Sequence, residues 1–262
     1  MQMENLVFRE ITGTGPAVLL LHPIGLDHSF WGGLVPTLAA THCVIAVDLP
    51  GHGDSAEATA GMSVADYAQA MFEMLDQLAV DRAAVLGLSF GGMIAQEMAV
   101  TYPDRITKLI VGACGPKIPA AAVDVVRQRG NVDEHAGMAS VVGATIERWF
   151  TPAFLQSPVV GRVRNRLLTN SPAGWKAGWS AISAFDALER LSRVSATTLV
   201  IAAESDAGTS VEATACIAKN IRQSQFILLE GAPHMMQIER EDDFIAAVAP
   251  FLQGETAAEK RP

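Results

Sequence analysis

A strand-like run passes into a helical segment through Gly87-Leu88-Ser89-Phe90-Gly91-Gly92. Residues 83–86 before this stretch are apolar, and residues 93–99 after it have a helix-forming composition. A serine on so sharp a turn is held in a strained backbone conformation, and its neighbours must lack bulk for the chain to pass. The G-x-S-x-G pattern in this context predicts a turn that raises the Ser89 hydroxyl above a sheet as a nucleophile. A glycine-rich turn with an incidental serine is the alternative interpretation.

The rest of the chain alternates between short apolar runs and amphipathic segments. The apolar runs are mostly rich in Val, Ile and Leu, as is typical of parallel strands buried on both faces. They cover residues 17–21, 43–47, 83–88, 106–111, 197–203 and 225–229, and helices are predicted at 64–78, 92–101, 211–221 and 241–252. This alternation predicts an α/β fold with a mostly parallel central sheet flanked by helices. Ligands bind such sheets beyond the carboxyl ends of the strands, which is where Ser89 is expected.

The alternation breaks between residues 115 and 191. Tryptophan, phenylalanine and arginine are frequent there, and three prolines divide the segment into short helices. We expect a helical lid that lies over the strand ends; a second domain with its own core and no role at the site is the alternative. The predicted organisation is a core in two parts, 1–114 and 192–253, a lid at 115–191 and a mobile polar tail at 254–262.

A nucleophilic serine needs a base, and the base needs an acid that orients it. His234 lies in a loop with glycine and proline directly after the last predicted strand, and Asp206 follows the preceding strand. Both side chains are therefore expected at carboxyl strand ends, within reach of Ser89. The chain order Ser89, Asp206, His234 is the one expected for this architecture. Glu204 is the competing acid, but it lies nearer its strand and is expected to point elsewhere.

Acyl transfer also needs two backbone donors for the oxyanion that forms. The N–H of Phe90 is one candidate, since it follows the nucleophile at the start of a helix. The second donor is expected in the loop at residues 22–27, after the first predicted strand. Pro23 has no N–H, so Ile24 is the candidate there. His22 is expected to be a structural residue of this loop.

Charge and composition exclude several classes of partner. The net charge of −9 at pH 7 argues against nucleic acid, because phosphate binding relies on clustered Lys and Arg. The first ten residues carry charges where a signal peptide needs an apolar stretch, and no segment approaches the ~20 apolar residues of a membrane span. The three widely spaced cysteines are typical of reduced thiols. We therefore expect a soluble, cytoplasmic protein with a small-molecule substrate and no membrane partner.

The sequence predicts neither a metal site nor a cofactor. The six histidines never fall at a ligand spacing such as His-x-x-x-His. Gly51-His52-Gly53 is not followed by the pattern of a phosphate-binding loop. Asp48 and His52 are expected to hold the turn in which they lie.

The chain resembles the α/β-hydrolases across its whole length, on residues 22–25 and 48–55, the turn at Ser89 and His234. Within that superfamily it is similar to the 3-oxoadipate enol-lactonases of aromatic degradation. The closer similarity rests on residues 87–96 and 102–105 and on lid residues 147–152, 174–175, 181–182 and Asp186. Two features depart from the pattern: residues 22–27 differ from the Asn-Ser-Leu-Gly type common in enol-lactonases, and Trp175 stands where tyrosine is frequent.

The resemblance implies an α/β-hydrolase fold with a helical lid insertion, and hydrolysis of a carboxylated lactone by acyl transfer to Ser89. It implies that Arg148 binds the substrate carboxylate, with Trp149 as an apolar wall and Trp175 as a further substrate contact. A solvent-facing arginine is the alternative for Arg148.

Two other functions stay open. The same three residues serve a broad carboxylesterase, a perhydrolase or a hydrolase that cleaves C–C bonds of aromatic ring-fission products. A non-enzymatic ligand-binding protein on a hydrolase scaffold is the third hypothesis, and the presence of Ser89, Asp206 and His234 argues against it.

Overall fold

The computed structural model describes residues 7–254, which form one seven-stranded sheet covered by helices on both faces. The strands are β1 Arg9–Thr12, β2 Ala17–Leu21, β3 Cys43–Val47, β4 Ala83–Leu88, β5 Ile106–Gly112, β6 Thr197–Ala203 and β7 Ser224–Leu229. They lie in the order β1-β3-β2-β4-β5-β6-β7. Only β1 is antiparallel to its neighbour; the other pairs are parallel. The predicted α/β fold with a mostly parallel sheet is confirmed.

The inner strands form the centre of the core because both of their faces are apolar. Every residue of β4 is buried, and successive side chains point to opposite faces of the sheet. Val85 therefore packs in the core on one face, and Leu86 packs in the core on the other. This arrangement explains why short apolar runs without alternation marked these strands in the sequence.

Strand β1 was not predicted from the sequence. It has the sequence Arg-Glu-Ile-Thr, and it is only partly buried at the edge of the sheet. Ile11 is paired with Ile45 of β3, yet Ile11 is half exposed. The strand is set by its pairing with β3 and not by a buried apolar run, so a search for such runs does not find it.

Ten α-helices surround the sheet in residues 7–254: α1 Leu34–Ala39, α2 Val64–Gln77, α3 Phe90–Thr101, α4 Val123–Gln128, α5 Ala139–Trp149, α6 Pro158–Leu168, α7 Pro172–Ser183, α8 Val211–Asn220, α9 Met236–Glu239 and α10 Glu241–Gln253. Ser63 and Asp66 form a capping box that starts α2. Helix α3 begins at Phe90, two residues before the predicted start, because the turn at Ser89 passes directly into it. None of the helices in this part of the chain is both long and apolar enough to cross a bilayer.

Helices α4–α7 come between β5 and β6, in the segment predicted to be a lid. The two ends of this segment are joined by backbone hydrogen bonds, from Ile118 N–H to Phe185 O at 3.1 Å and from Ala187 N–H to Pro116 O at 2.8 Å. The division of the chain into core and lid stays a prediction. Of the predicted tail at 254–262, only Gly254 lies within the described residues.

The order of the strands opens a crevice at the carboxyl ends of β2 and β4. Strand β2 lies between β3 and β4, so the chain leaves it toward one side of the sheet and later returns on the other. Such a reversal leaves the loops after the two central strands free to face a ligand. The loop at residues 22–27 follows β2, and Ser89 follows β4.

Candidate active site

Ser89 occupies a strained turn between β4 and α3. Its φ is +54°, a conformation that few residues other than glycine adopt. The turn requires close approach of backbone: a Cβ on Gly87 would collide with the carbonyl group of Gly91, and a Cβ on Gly91 with that of Leu21. Gly87 and Gly91 are thus required because the backbone approaches too closely there for a side chain, which fits the predicted nucleophile turn.

The structure brings His234 and Asp206 to Ser89. His234 Nε2 lies 3.0 Å from Ser89 Oγ, while Nδ1 lies 2.9 and 2.8 Å from the two carboxylate oxygens of Asp206. Because a carboxylate only accepts hydrogen bonds, Nδ1 carries a proton and its N–H donates a hydrogen bond to Asp206. The lone pair of Nε2 then faces the serine hydroxyl and can take its proton.

The Asp206 side chain is buried, with 1% of its surface exposed, and backbone groups fix it. The N–H groups of Gly208 and Thr209 donate to its Oδ1 at 2.6 and 2.9 Å. The competing acid, Glu204, is exposed and instead accepts from the N–H of Gly231 at 2.8 Å. Of the two acids considered from the sequence, Asp206 is therefore the one that the structure brings to the imidazole.

Two backbone N–H groups beside Ser89 are available for an oxyanion. Within residues 7–254, neither the Ile24 N–H nor the Phe90 N–H has a hydrogen-bond acceptor. Phe90 is the first residue of α3, where the helix dipole also favours negative charge. The two donors named from the sequence, the N–H groups of Ile24 and Phe90, are thus both free to bind a ligand oxygen.

His22 orients the peptide that carries the Ile24 donor. Its Nε2 accepts from the N–H of Leu49 at 2.9 Å, so Nδ1 carries the proton and donates to the carbonyl oxygen of Pro23 at 2.7 Å. In a trans peptide the C=O and N–H groups point in opposite directions. Holding the Pro23 carbonyl on one side therefore directs the Ile24 N–H to the other.

His22 is kept neutral in this role. Burial lowers the pKa of its imidazole well below the usual value, and the neighbouring His52 lowers it further. The pKa of His52 is itself lowered by burial, to about 4. A neutral imidazole can accept at one nitrogen and donate at the other, which is what the loop requires.

A cavity of about 280 Å³ opens beside Ser89 and His234. Arg148 and Trp149, the two residues at the end of α5 predicted to contact substrate, both line it. Many of the other lining side chains are apolar; they include Met93 of α3, Ile182 of α7, and Ile118 and Val126 between β5 and α5. The cavity is thus an apolar chamber with a few polar groups, as is usual for a small-molecule site.

The structure corrects the prediction for Trp175. This indole is 1% exposed and does not line the cavity; its Nε1 donates to the carbonyl oxygen of Arg129 at 2.9 Å. Trp175 lies against Gly25, where a Cβ would come within 2.8 Å of its ring. Trp175 therefore packs against the loop at residues 22–27 (the oxyanion loop), which carries the Ile24 N–H. Trp179, one helical turn further along α7, lines the cavity instead.

Sequence reasoning also missed Arg129. It lies just after α4 and lines the cavity with Arg148, and its guanidinium lies over the ring of Trp179 at 5.4 Å. Nothing in the sequence distinguishes it from Arg127, which pairs with Asp124 on the outer face of the same helix. The position of Arg129 depends on how the helices of the lid segment pack.

Among residues 7–254, one group of three side chains has the ligand types and spacing of a metal site: Asp27, His28 and Asp48. Their polar atoms already have partners in the protein. His28 Nδ1 lies 2.7 Å from Asp48 Oδ1, and Asp27 pairs with Arg166 at 2.8 Å. Asp48 also accepts from the N–H of Asp54 at 2.8 Å, so it holds the turn at residues 48–55.

Comparison with known proteins finds relatives that are similar to the chain over nearly all of its length. It is 28% identical to 3-oxoadipate enol-lactonase 2 of Acinetobacter baylyi, over 91% of this chain and 89% of the relative. It is 27% identical to the pimeloyl-[acyl-carrier protein] methyl ester esterase of Aliivibrio salmonicida, over 97% of this chain and 98% of the relative.

The fold agrees with these similarities. The crystal structure of the enol-lactonase from Burkholderia xenovorans LB400 superposes with a TM-score of 0.88 and 25% identity, covering 94% of this chain and 96% of that one. The expected resemblance to enol-lactonases is confirmed. The sequence profile of the alpha/beta hydrolase fold matches residues 16–241. The chain therefore belongs to the alpha/beta hydrolase family.

Proposed function

We propose that the protein is a serine hydrolase that opens a carboxylated enol-lactone. The observation that carries the proposal is the aligned set of Ser89, His234 and Asp206 at the floor of a small cavity that holds arginine. The family, with its lactonase and esterase relatives, supports hydrolysis of an ester bond. The enol-lactonase relatives support the lactone as substrate.

The first half of the reaction acylates Ser89. His234 Nε2 takes the hydroxyl proton while Ser89 Oγ attacks the lactone carbonyl, and Asp206 stabilises the imidazolium that forms. The N–H groups of Ile24 and Phe90 bind the oxyanion; one such donor is worth ~3 kcal/mol in the transition state. Collapse breaks the ring C–O bond, and the leaving enol oxygen receives the proton from His234. The enol, still part of the acyl chain, then tautomerises to a ketone.

The second half regenerates the serine. A water molecule gives a proton to His234 Nε2 and attacks the acyl carbonyl carbon. The oxyanion again forms at the same backbone donors, and Ser89 Oγ leaves with the proton returned by His234. The product is an open-chain keto acid that carries one carboxylate more than the lactone.

Within this proposal Arg148 binds the carboxylate that the substrate already carries, and Trp149 forms the apolar wall beside the ring. A guanidinium offers two parallel N–H donors that match the two carboxylate oxygens. Arg148 has the required position, since it lines the same cavity as Ser89 and His234.

The test is a comparison of kcat/KM for 3-oxoadipate enol-lactone with that for simple aryl esters such as phenyl acetate. The proposal expects the lactone to be opened faster, with loss of both activities in Ser89→Ala. If the lactone is not opened faster than the aryl ester, the lactonase assignment is wrong.

A broader carboxylesterase is the second candidate, because methyl ester esterases are similar over an equally large part of the chain. If the protein is such an esterase, we expect it to cleave neutral alkyl or aryl esters faster than the enol-lactone. A perhydrolase or a C–C hydrolase of ring-fission products would use the same three residues. Formation of a peracid from an acid and hydrogen peroxide tests for the perhydrolase, and cleavage of a vinylogous diketone tests for the C–C hydrolase.

We further propose a role in the degradation of aromatic compounds and a cytoplasmic location. The first follows from the proposed lactone. The second is supported by three cysteines that are all free: Cys43, Cys114 and Cys216. Cell fractionation and growth of a deletion strain on aromatic acids test the two statements.

A further inference from the structure

Arg129 points its charge into the active-site cavity from a firmly held position. Its backbone carbonyl accepts the Trp175 Nε1–H at 2.9 Å, and its guanidinium lies 5.4 Å from the centre of the Trp179 ring. Stacking on an aromatic face positions a guanidinium while leaving its N–H edge free for a ligand. The side chain is only partly exposed, in a chamber that also contains Arg148, Ser89 and His234.

Neither arginine in the cavity has a carboxylate partner. Within residues 7–254, no acidic oxygen lies within 4 Å of the guanidinium of Arg129 or of Arg148, whereas Arg127, Arg166 and Arg190 each pair with an acid. Arg166 and Arg190, which are also partly buried, are thus neutralised by an acid, and these two are not. An unpaired cation in a small chamber is costly unless an anion joins it there.

The two charges also oppose each other. Burial lowers the pKa of Arg129, the positive charge of Arg148 lowers it further, and Asp206 acts in the opposite direction. Asp206 forms no ion pair with this arginine; its oxygens accept from His234, Gly208 and Thr209. Two guanidinium groups that repel each other beside a nucleophile are arranged for an anionic ligand.

We propose that Arg129 joins Arg148 in binding the free carboxylate of the substrate, so that the site selects lactones or monoesters of short dicarboxylic acids over neutral esters. This inference rests on the proposed hydrolase function and assigns Arg129 as a specificity-determining residue. An ionised carboxylate accepts several hydrogen bonds, enough for two guanidinium groups.

The chemistry of the reaction fits this substrate class. Hydrolysis at Ser89 breaks the acyl C–O bond and leaves a second carboxylate where the ester was, so the product is a dicarboxylate. The cavity volume of about 280 Å³ is near the lower limit for ligand sites, which favours a short chain between the two acid groups. Lys117 lies exposed at the same cavity and adds positive charge along its lining.

The test compares two esters that differ only in charge. One is the para-nitrophenyl monoester of glutaric acid, and the other is its neutral isostere, in which an isopropyl group replaces the carboxylate. Release of nitrophenolate gives kcat/KM for wild type, Arg129→Gln, Arg129→Lys and the control Arg127→Gln. Arg127 lies two residues away on α4, but it is exposed and outside the active-site cavity.

The proposal expects wild type to prefer the anionic ester, and Arg129→Gln to lose ~10- to 100-fold in kcat/KM for that ester with little change for the neutral one. Arg129→Lys should keep part of the preference, and Arg127→Gln all of it. Glutarate should inhibit wild type competitively and Arg129→Gln more weakly.

Two results would overturn the inference. One is an equal fall for both esters in Arg129→Gln, which means a structural role; the other is no preference for the anionic ester in wild type. Either can occur while both esters are still cleaved in a Ser89-dependent way, so the proposed hydrolase function would survive. Absence of Ser89-dependent cleavage of any ester would refute the function itself.

Discussion

The N–H of Met235 donates to the carbonyl oxygen of Trp149 at 3.1 Å, which joins the loop of His234 to the end of α5. A second link lies beside it, because Glu239 accepts from both the N–H and the hydroxyl of Thr151. The proposed base and α5, the helix that carries Arg148, are thus held to each other directly. A shift of α5 would therefore move Arg148, the proposed carboxylate-binding residue, together with His234.

Glu239→Ala should loosen this link. Loss of the acceptor for two Thr151 donors is expected to lower the free energy of unfolding by about 1–3 kcal/mol, and a displaced His234 to lower kcat by up to ~100-fold. Urea unfolding and steady-state kinetics measure both. Thr151→Val removes only the hydroxyl donor and should have a smaller effect on each. A loss of stability with unchanged kcat would show that the link does not position the base.

Ser89→Ala should lower kcat by about 10⁶-fold, and Asp206→Asn by about 10⁴-fold, if the three residues act as a unit. The amide that replaces the carboxylate in the second variant no longer fixes the proton on Nδ1 of His234. Glu204→Gln is the matched control, because Glu204 lies on the same loop but bonds to Gly231. Comparable losses in Glu204→Gln and Asp206→Asn would contradict the assignment of Asp206.

His22→Ala should impair the oxyanion site without affecting substrate binding. The Pro23 carbonyl would keep only the longer hydrogen bond from the Leu26 N–H, at 3.2 Å, so the Ile24 N–H would be held less firmly in its direction. Since loss of a complete oxyanion donor costs 10²–10³ in kcat, we expect a fall of ~10²-fold or less, with KM nearly unchanged. His42→Gln, at the opposite end of the sheet, controls for loss of a buried histidine. A rise in KM alone would argue against this role.

Buried His52 should make the fold sensitive to mild acid. Its pKa is lowered to about 4 in the folded protein, from an ordinary value of 6.5. As the pH falls below 6.5, the His52 imidazole binds a proton in the unfolded chain but stays neutral in the native state. The contribution of His52 to the free energy of unfolding is therefore complete above pH 6.5 and is lost as the pH falls toward 4. At pH 5 the loss from this group is about 2 kcal/mol. Urea midpoints at pH 7.5 and pH 5 measure it.

His52→Phe keeps a ring next to Phe90 and His22 but cannot titrate. Its difference in unfolding free energy between the two pH values should be smaller than that of wild type by about that amount. An unchanged difference would show that other groups cause the acid sensitivity. His22, whose pKa is also lowered, contributes in the same direction and remains in the variant.

Strands β2–β7, the turn at Ser89 and the residues that meet there could be predicted because each depends on local sequence. Apolar runs define buried strands, the glycines around Ser89 define the turn, and chain order then places Asp206 and His234 at adjacent strand ends. The interior of the lid segment could not be predicted in this way. Whether Trp175 or Trp179 reaches the cavity depends on how α7 packs over the oxyanion loop, and both lie on one apolar helix. Arg129 depends on the same packing.

Arg190 should stabilise the fold through a buried acid on the helix that follows Ser89. Its guanidinium binds both oxygens of Glu97, at 2.6 and 2.8 Å, and the Glu97 side chain is only 5% exposed. Arg190→Ala would leave that carboxylate without its charged partner, at a cost of about 1–3 kcal/mol in unfolding free energy. Arg193→Ala is the control, because Arg193 is exposed in the same short 3-10 helix.

The loss of unfolding free energy in Arg190→Ala arises because the buried Glu97 carboxylate has lost its charged partner, so a second change at Glu97 should restore stability. The double variant Glu97→Gln with Arg190→Ala removes the buried charge and is expected to be more stable than Arg190→Ala alone. The turn at Ser89 lies at the start of α3, eight residues before Glu97, so kcat should change little in either variant. Equal stability of the single and double variants would mean that Arg190 acts by packing and not by pairing with Glu97.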